Sequence, residues 1–550
     1  MTIVLTPYWS NGQQKIKVEP QAPAPPPAGL LPPAYIHAVH AERSLLQLRS
    51  KATPIEKNIF LSQLKDADLN TFYKLCLANM SEITPLIYTP TVGDACLQFS
   101  QNFRRPEGLF ISIKDKGKIG SILRNWPRLN EARISVVTDG SRILGLGDLG
   151  VNGMPISIGK LSLYVAGAGV RPTSTLPICL DLGTNNQKFL DDPLYLGLRQ
   201  KRVSDEEMDE FMDEFMAEIT TAFPKLLVQF EDFSTDHAFA YLARFRDRYP
   251  VFNDDIQGTG AVVLSGLINA AAIANIPARN HRILFFGAGS AGVGVAMQLI
   301  SYFTLNGLSV EEARDRVWLV DSKGLVYDGR AAEVAEHKKC VEMLTMEPDF
   351  SRRDYTGAPL TDLLEIIEYV KPTALMGLST IKSAFTEPVI RAMAKHNVRP
   401  IIFPLSNPVR LSECEFQETL EWSEGRAIFA SGSPFPETTF EGRRRIPGQG
   451  NNMYIFPGLG LGSIIARVTS VTDSMVEASA LGLANSLTEE ERGLELVYPA
   501  IHRIREISGH VAVRVIRAAQ KAGVDQSSEL RSLSDEELTE LVHKKMWYPC

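Results

Sequence analysis

Six cysteines, Cys76, Cys96, Cys179, Cys340, Cys414 and Cys550, are scattered along 550 residues, and no two make a Cys-x-x-Cys pair. That argues against a zinc knuckle or a dithiol redox motif and suits a reducing compartment. Excess positive charge is also lacking. The formal net charge of −7 gives no overall pull toward nucleic acid or an anionic membrane. An anionic substrate must therefore be gathered by local cations or a metal. The longest apolar run, "AVVLSGLINAAAIANIP" from Ala261, is too short and interrupted to span a bilayer comfortably and reads as a buried helix. The first 33 residues contain neither a basic segment leading into an apolar core nor any arginine, so they read as neither a secretory signal nor a transit peptide. The cytoplasm is the expected location. No solenoid-type repeat is visible. An otherwise ordinary composition at this length fits a globular enzyme of several domains.

Residues 1–33 form a Pro-rich tail and 34–106 a helical region, in which Pro54 marks a helix start. Over 107–255 strands and helices alternate. "RISVVTD", "PICLDLG" and "KLLVQF" have the continuous apolar character of buried parallel strands. Before the last of these, Ser204 and Glu207 make a capping-box pattern, and Met208, Phe211, Met212, Phe215, Met216 and Ile219 fall on one helical face. The acids of that segment read as a solvated face. A second alternating series fills 256–451, with strands in "RILFF", "RVWLVD", "TALMGLS", "PIIFPLSN" and "RAIFAS". The expected fold is α/β: a doubly wound Rossmann-type dinucleotide domain, a second parallel-sheet α/β substrate domain and the N-terminal helical region. Residues 452–550 are expected to be C-terminal helices returning to the substrate domain, then a tail.

The pattern G-x-G-x-x-G occurs twice, at Gly145, Gly147 and Gly150, and at Gly287, Gly289 and Gly292. The second copy follows a short apolar strand, opens a small-residue helix and is followed by a strand ending at Asp321, where a ribose-binding acid belongs. Residues 287–292 (Gly287, Ala288, Gly289, Ser290, Ala291, Gly292) are therefore expected to cradle a dinucleotide. The first copy carries Asp148 inside the loop, shows no immediate long helix and lacks an acid-tipped second strand at the expected distance. Its flanking Arg142 and Lys160 point instead to an anionic substrate.

Two acidic pairs follow short extended runs, Glu231–Asp232 in "VQFEDFS" and Asp254–Asp255 in "VFNDDIQGT". Hard carboxylate oxygens suit Mg²⁺ or Mn²⁺. On spacing alone the acids of "FNDD" serve equally well as a helix N-cap.

Together "YTPTVG", "FRRPEGLFIS", "TDGSRILGLGDLGVNGM", "QFEDF", "FNDDIQGT", "FFGAGSAG", "SNP", "SGSPF" and "GQGNNMYIFPG", in this order over residues 34 to 525, resemble malic enzymes. The resemblance implies oxidative decarboxylation of L-malate to pyruvate and CO₂ with reduction of NAD(P), dependent on Mg²⁺ or Mn²⁺. It implies Glu231, Asp232 and Asp255 as metal ligands, Lys160 as general base, Tyr88 as general acid and Asp254 as the partner orienting Lys160. Arg142 would grip a substrate carboxylate, and Asn407 and Asn452 would contact substrate and nicotinamide. A homodimer or homotetramer is implied as well.

A lysine acts as a base only if its pKa falls from ~10.4, and both burial and a nearby dication would lower it. The rival activity on the same site is malolactic, converting malate to lactate on bound NAD. Cofactor choice reads both ways: Asp321 favours NAD, whereas Ser322, Lys323 and, further on, Lys338 favour NADP, as does the likeness of "VDSKG" to NADP-preferring members. NADP is the expected cofactor, with NAD possible. In some animal members two arginines bind the activator fumarate. Arg43 falls at one of these positions, but the other, near Ala67 and Asp68, has no arginine, which argues against fumarate activation.

Overall fold

The computed structural model describes residues 3–10, 13–20, 39–333, 350–407 and 409–550. Two compact units result, residues 1–50 and 51–550. The first holds an antiparallel hairpin of β1 (Ile3–Ser10) and β2 (Gln13–Pro20) and a helix, His40–Arg49.

The second unit carries two main sheets. The five-stranded sheet consists of β3 (Leu109–Ser112), β4 (Ile134–Thr138), β5 (Thr175–Asp181), β6 (Leu227–Phe230) and β7 (Val251–Asn253), in the order β3-β5-β4-β6-β7. Every pairing in it is parallel. The seven-stranded sheet consists of β8 (Ile283–Phe286), β9 (Val317–Asp321), β10 (Gly324–Leu325), β11 (Ala374–Gly377), β12 (Ile401–Pro404), β13 (Ile428–Ser431) and β16 (Gly448–Gln449). Its order is β10-β9-β8-β11-β12-β13-β16, and only β10 runs antiparallel to its neighbour. A small hairpin, β14 (Thr438–Phe440) with β15 (Arg443–Arg445), precedes β16.

β4, β6, β11, β12 and β13 are buried at every residue, because helices cover both sheet faces and leave no polar alternation. In each sheet the chain reverses its direction of growth beside a central strand, β4 in one and β8 in the other. The carboxyl end of such a strand is where ligands bind in open α/β sheets. Each glycine loop leaves one of these two ends.

Local signals account for the helices. Thr53 and Glu56 close a reciprocal capping box ahead of Pro54. Helix Asp205–Ala222 buries the six apolar residues expected of it. Ser204 accepts from the N–H of Glu207, but the reciprocal bond does not form, so the cap is a simple one. Its acids are not merely solvated: Arg244 bonds Asp209 and Asp213, and Glu214 accepts from the N–H groups of Gly117 and Ile119. Among the described residues one helical stretch, Asp254–Ala274, is long and apolar enough to cross a membrane. Residues Gly260 to Leu267 within it are all buried inside the protein.

Candidate active site

One cleft is lined by both glycine loops and by most of the residues singled out from the sequence. Gly145 and Arg142 face it from one side, Gly289, Ser290 and Ala291 from the other, with Tyr88, Lys160, Glu231, Asp232, Asp255, Asn407 and Asn452 between. A side chain at position 289 would begin 3.9 Å from Arg142 Nη2, so the two loops confront each other.

The second loop is built for close approach. Gly287 has φ +120°, and a Cβ there would lie 2.4 Å from the main chain of Leu378; a Cβ at Gly292 would lie 2.1 Å from the carbonyl of Gly287. The helix Ser290–Leu305 starts at once, and no side chain caps it. Its leading N–H groups and dipole therefore offer an anion site at the cleft.

The first loop has more of the dinucleotide setting than its sequence suggests. A helix, Met154–Ala168, follows almost immediately, and β5 does end on an acid, Asp181. Both expectations are corrected. What disqualifies the loop is that its own groups are spent. Asp148 Oδ1 accepts from Gly150 N–H, Tyr195 accepts from Val151 N–H, and Asp181 accepts from Gly183 and Leu198. Nor is Asp148 a loose charge: Arg202 holds both its oxygens at 2.9 Å and reaches Asp139 Oδ2 at 3.2 Å. This clamp fixes the loop that presents Arg142, whose guanidinium also bonds Thr235 and whose N–H donates to the carbonyl of Asp232.

The acids stand at strand ends. Glu231 and Asp232 follow β6, and Asp254 and Asp255 form the first turn of a π-helical segment after β7. Asn253, not either aspartate, is the N-cap, accepting from Ile256 N–H. Ligand atoms from Glu231, Asp232 and Asp255 all lie within 4.8 Å of one another. Burial, aided by the charge of neighbouring acids, pushes all three carboxyls above the usual range. Asp232 sits at φ +54°, a conformation an aspartate tolerates, and its Oδ2 is buried without a hydrogen bond. A crowded set of hard oxygens with one orphaned acceptor fits a divalent cation such as Mg²⁺ or Mn²⁺.

Lys160 is 1% exposed. Its Nζ contacts Asp254 Oδ2 and lies 2.9 Å from Glu231 Oε1 and 4.5 Å from the ring centroid of Phe456. Burial alone would lower its pKa, but Asp254, Glu231 and Tyr88 outweigh it and hold the ammonium well above the usual range. With only protein groups around it, then, Lys160 is not the lowered lysine the sequence suggests. Tyr88 Oη lies 3.4 Å from the same Glu231 oxygen, and burial, aided by the neighbouring acids, holds its phenol far up.

Asn452 donates to Asp254 Oδ2 at 3.0 Å and to its carbonyl at 3.1 Å. It therefore grips Asp254 as well as facing the cleft. Asn407 accepts from Ser433. Asp321 is engaged at both oxygens by Arg330, at 2.9 and 3.1 Å, with Lys323 N–H on Oδ1 at 2.8 Å. Ser322 and Lys323 are exposed beside it. Lys338 lies outside the described residues.

Two family profiles match the chain: "Malic enzyme, N-terminal domain" over residues 65–246 and "Malic enzyme, NAD binding domain" over 256–520. The chain belongs to the malic enzyme family. Among similar proteins, the NADP-dependent malic enzyme of Dictyostelium discoideum is 48% identical over 499 residues, covering 90% of both chains. NADP-dependent malic enzyme 1 of Arabidopsis thaliana is 46% identical, covering 90% of this chain and 84% of its own. The fold matches the crystal structure of Entamoeba histolytica malic enzyme, with TM-score 0.58 and 22% identity over 94% of this chain and 90% of that one.

Arg202, Gln229, Tyr164, Arg330 and Phe456 were not singled out from the sequence of this malic enzyme. Glu413 was missed too: it accepts from Ser379 N–H and from the hydroxyl of Ser406, tying together the loops after β11 and β12.

Proposed function

We propose that this malic enzyme oxidises and decarboxylates L-malate to pyruvate and CO₂ with NADP as the preferred acceptor and Mg²⁺ or Mn²⁺ bound by Glu231, Asp232 and Asp255. The observation that carries this reading is the single cleft in which an uncapped helix N-terminus faces Arg142, Lys160 and the three acids. When bound, a dication at these acids would supply Lewis-acid polarisation, and a nicotinamide would supply the hydride-accepting ring. Arg142 offers a planar fork to a substrate carboxylate. Lys160, held by Asp254, takes the C2 hydroxyl proton as the neutral amine, a form that the charge of a dication at the three acids would favour over the ammonium. Tyr88, protonated by virtue of its burial, delivers a proton to C3 after CO₂ leaves.

For NADP, the support is the similarity to relatives named as NADP-dependent and the state of Asp321. Arg330 compensates the Asp321 charge, which weakens its repulsion of a 2′-phosphate, and Ser322 and Lys323 stand exposed next to it. The test is a metal-dependent assay with L-malate and either cofactor, following reduced cofactor and CO₂. Pyruvate with stoichiometric NADPH supports the reading. Lactate without net reduced cofactor would replace it with the malolactic activity, and no turnover with any metal would sink both.

A further inference from the structure

The acid–base centre and the acid cluster share one residue, Glu231, and what holds it reaches past both. Its Oε1 faces Lys160 Nζ at 2.9 Å and Tyr88 Oη at 3.4 Å, and its Oε2 accepts from Gln229 Nε2 at 2.7 Å. Gln229 in turn meets the hydroxyl of Tyr164 through its Oε1. Tyr164 and Gln229 are fully buried, and Glu231 is 2% exposed, so water does not take over these bonds.

The placement follows from two periodicities. Gln229 and Glu231, two apart at the end of β6, project from the same face of the strand. Lys160 and Tyr164, four apart in helix Met154–Ala168, lie on one helix face. One helix face therefore engages both oxygens of Glu231, directly through Lys160 and indirectly through Tyr164 and Gln229.

The polarity of the chain is fixed. As a metal ligand Glu231 is ionised and only accepts, so Gln229 turns its NH₂ toward Glu231 and its carbonyl toward Tyr164, and the phenol donates.

We infer that Gln229 and Tyr164 are positioning residues for the metal. They form a buried hydrogen-bond relay that fixes the rotation of the Glu231 carboxylate and so directs its remaining lone pairs at the dication held with Asp232 and Asp255. The inference rests on the metal assignment proposed above. Outer partners of this kind orient ligands, and losing one costs about 10- to 100-fold in metal affinity. Neither residue lines the cleft that Arg142 and the loop at Gly289 face.

The test is Mn²⁺ titration of the full chain, read from the electron paramagnetic resonance signal of free aqueous Mn²⁺, alongside thermal melting and NADP binding by fluorescence. Wild type should bind Mn²⁺. Gln229→Leu, which keeps the volume and removes both bonds, should weaken Mn²⁺ binding about 10- to 100-fold. Tyr164→Phe, which removes one hydroxyl and frees the amide to turn, should weaken it less, by about tenfold at most. NADP affinity should change little in either. A folded Gln229→Leu with wild-type Mn²⁺ affinity overturns the relay. If Gln229→Leu does not fold, Tyr164→Phe decides, and wild-type Mn²⁺ affinity there overturns it. Failure of the wild type to bind Mn²⁺ would remove the metal assignment itself, and the relay with it.

Discussion

Asn452 clasps Asp254 twice, donating through one amide nitrogen to the side-chain carboxylate at 3.0 Å and to the main-chain carbonyl at 3.1 Å. The two residues are 198 positions apart, so the segment after β16 closes onto the partner of Lys160. Hydrogen bonds to a charged group contribute ~1.5–3 kcal/mol, which is about 10- to 100-fold in rate if expressed in the transition state. Asn452→Ala should lower kcat by that amount while leaving Mn²⁺ affinity near wild type. Unchanged kcat would mean that the clasp does not support the base.

Asp255→Ala should leave the fold intact and abolish turnover. It removes a cluster carboxylate, though also the acceptor of the Asp232 N–H, which lies 2.7 Å from Asp255 Oδ2. The rise in Mn²⁺ dissociation constant should be at least about 100-fold, the upper end of what even an outer partner costs. Near-wild-type activity in Mn²⁺ would rule out Asp255 as a ligand.

Lys160→Ala and Tyr88→Phe should fail differently. The lysine variant should lose hydride transfer by about 10²- to 10⁴-fold, the usual range for a positioned base. The tyrosine variant should lose oxaloacetate decarboxylation or pyruvate enolisation more than hydride transfer. Partial-reaction assays separate the two, and equal loss in every step would abolish the division of labour.

Arg330→Gln should uncover the charge of Asp321, whose two oxygens now meet one guanidinium nitrogen, Nη2, at 2.9 and 3.1 Å. kcat/KM for NADP should fall about tenfold more than for NAD, a difference of about 1.4 kcal/mol. An unchanged ratio would show that this pair plays no part in selecting the cofactor.

His281 gives a pH-dependent stability far from the cleft chemistry. It is 1% exposed, bonds Thr373 through Nδ1, and burial pushes its pKa down to about 4. The unfolded chain, with an ordinary value near 6.5, binds the proton first as pH falls. The contribution is therefore complete above about pH 6.5 and is lost progressively toward pH 4, amounting to roughly 3 kcal/mol. His281→Gln should flatten that part of the stability curve in thermal melts between pH 7 and 4. Parallel curves would exclude His281 as the group responsible.

The parallel strands were legible because strands buried on both faces are written as short unbroken apolar runs, such as "ISVVT" and "IIFP". Helix Met154–Ala168 was missed for the opposite reason. Nearly every residue in it is buried, so it has no polar face and no 3.6-residue contrast to read. The acids stood out because two pairs occur in adjacent strand ends. Their supporting residues did not: Tyr164 and Gln229 are 65 positions apart, Asn452 and Asp254 nearly 200, and nothing local links them. The capping alternative for "FNDD" failed because Asn253 takes that role, which leaves Asp255 to the cleft and Asp254 to Lys160.

The 3.9 Å between Arg142 Nη2 and a side-chain position at Gly289 has a consequence for binding equilibria. A guanidinium that close to an uncapped helix start belongs to the electrostatic field of both anions, the dinucleotide phosphates and the dicarboxylate. Their affinities then cannot be independent. Whichever ligand arrives first partly neutralises the attraction felt by the second, unless the dication restores it. Reciprocity requires the penalty to be equal in both directions. The antagonism between the two ligands should shrink as salt screens the shared charge.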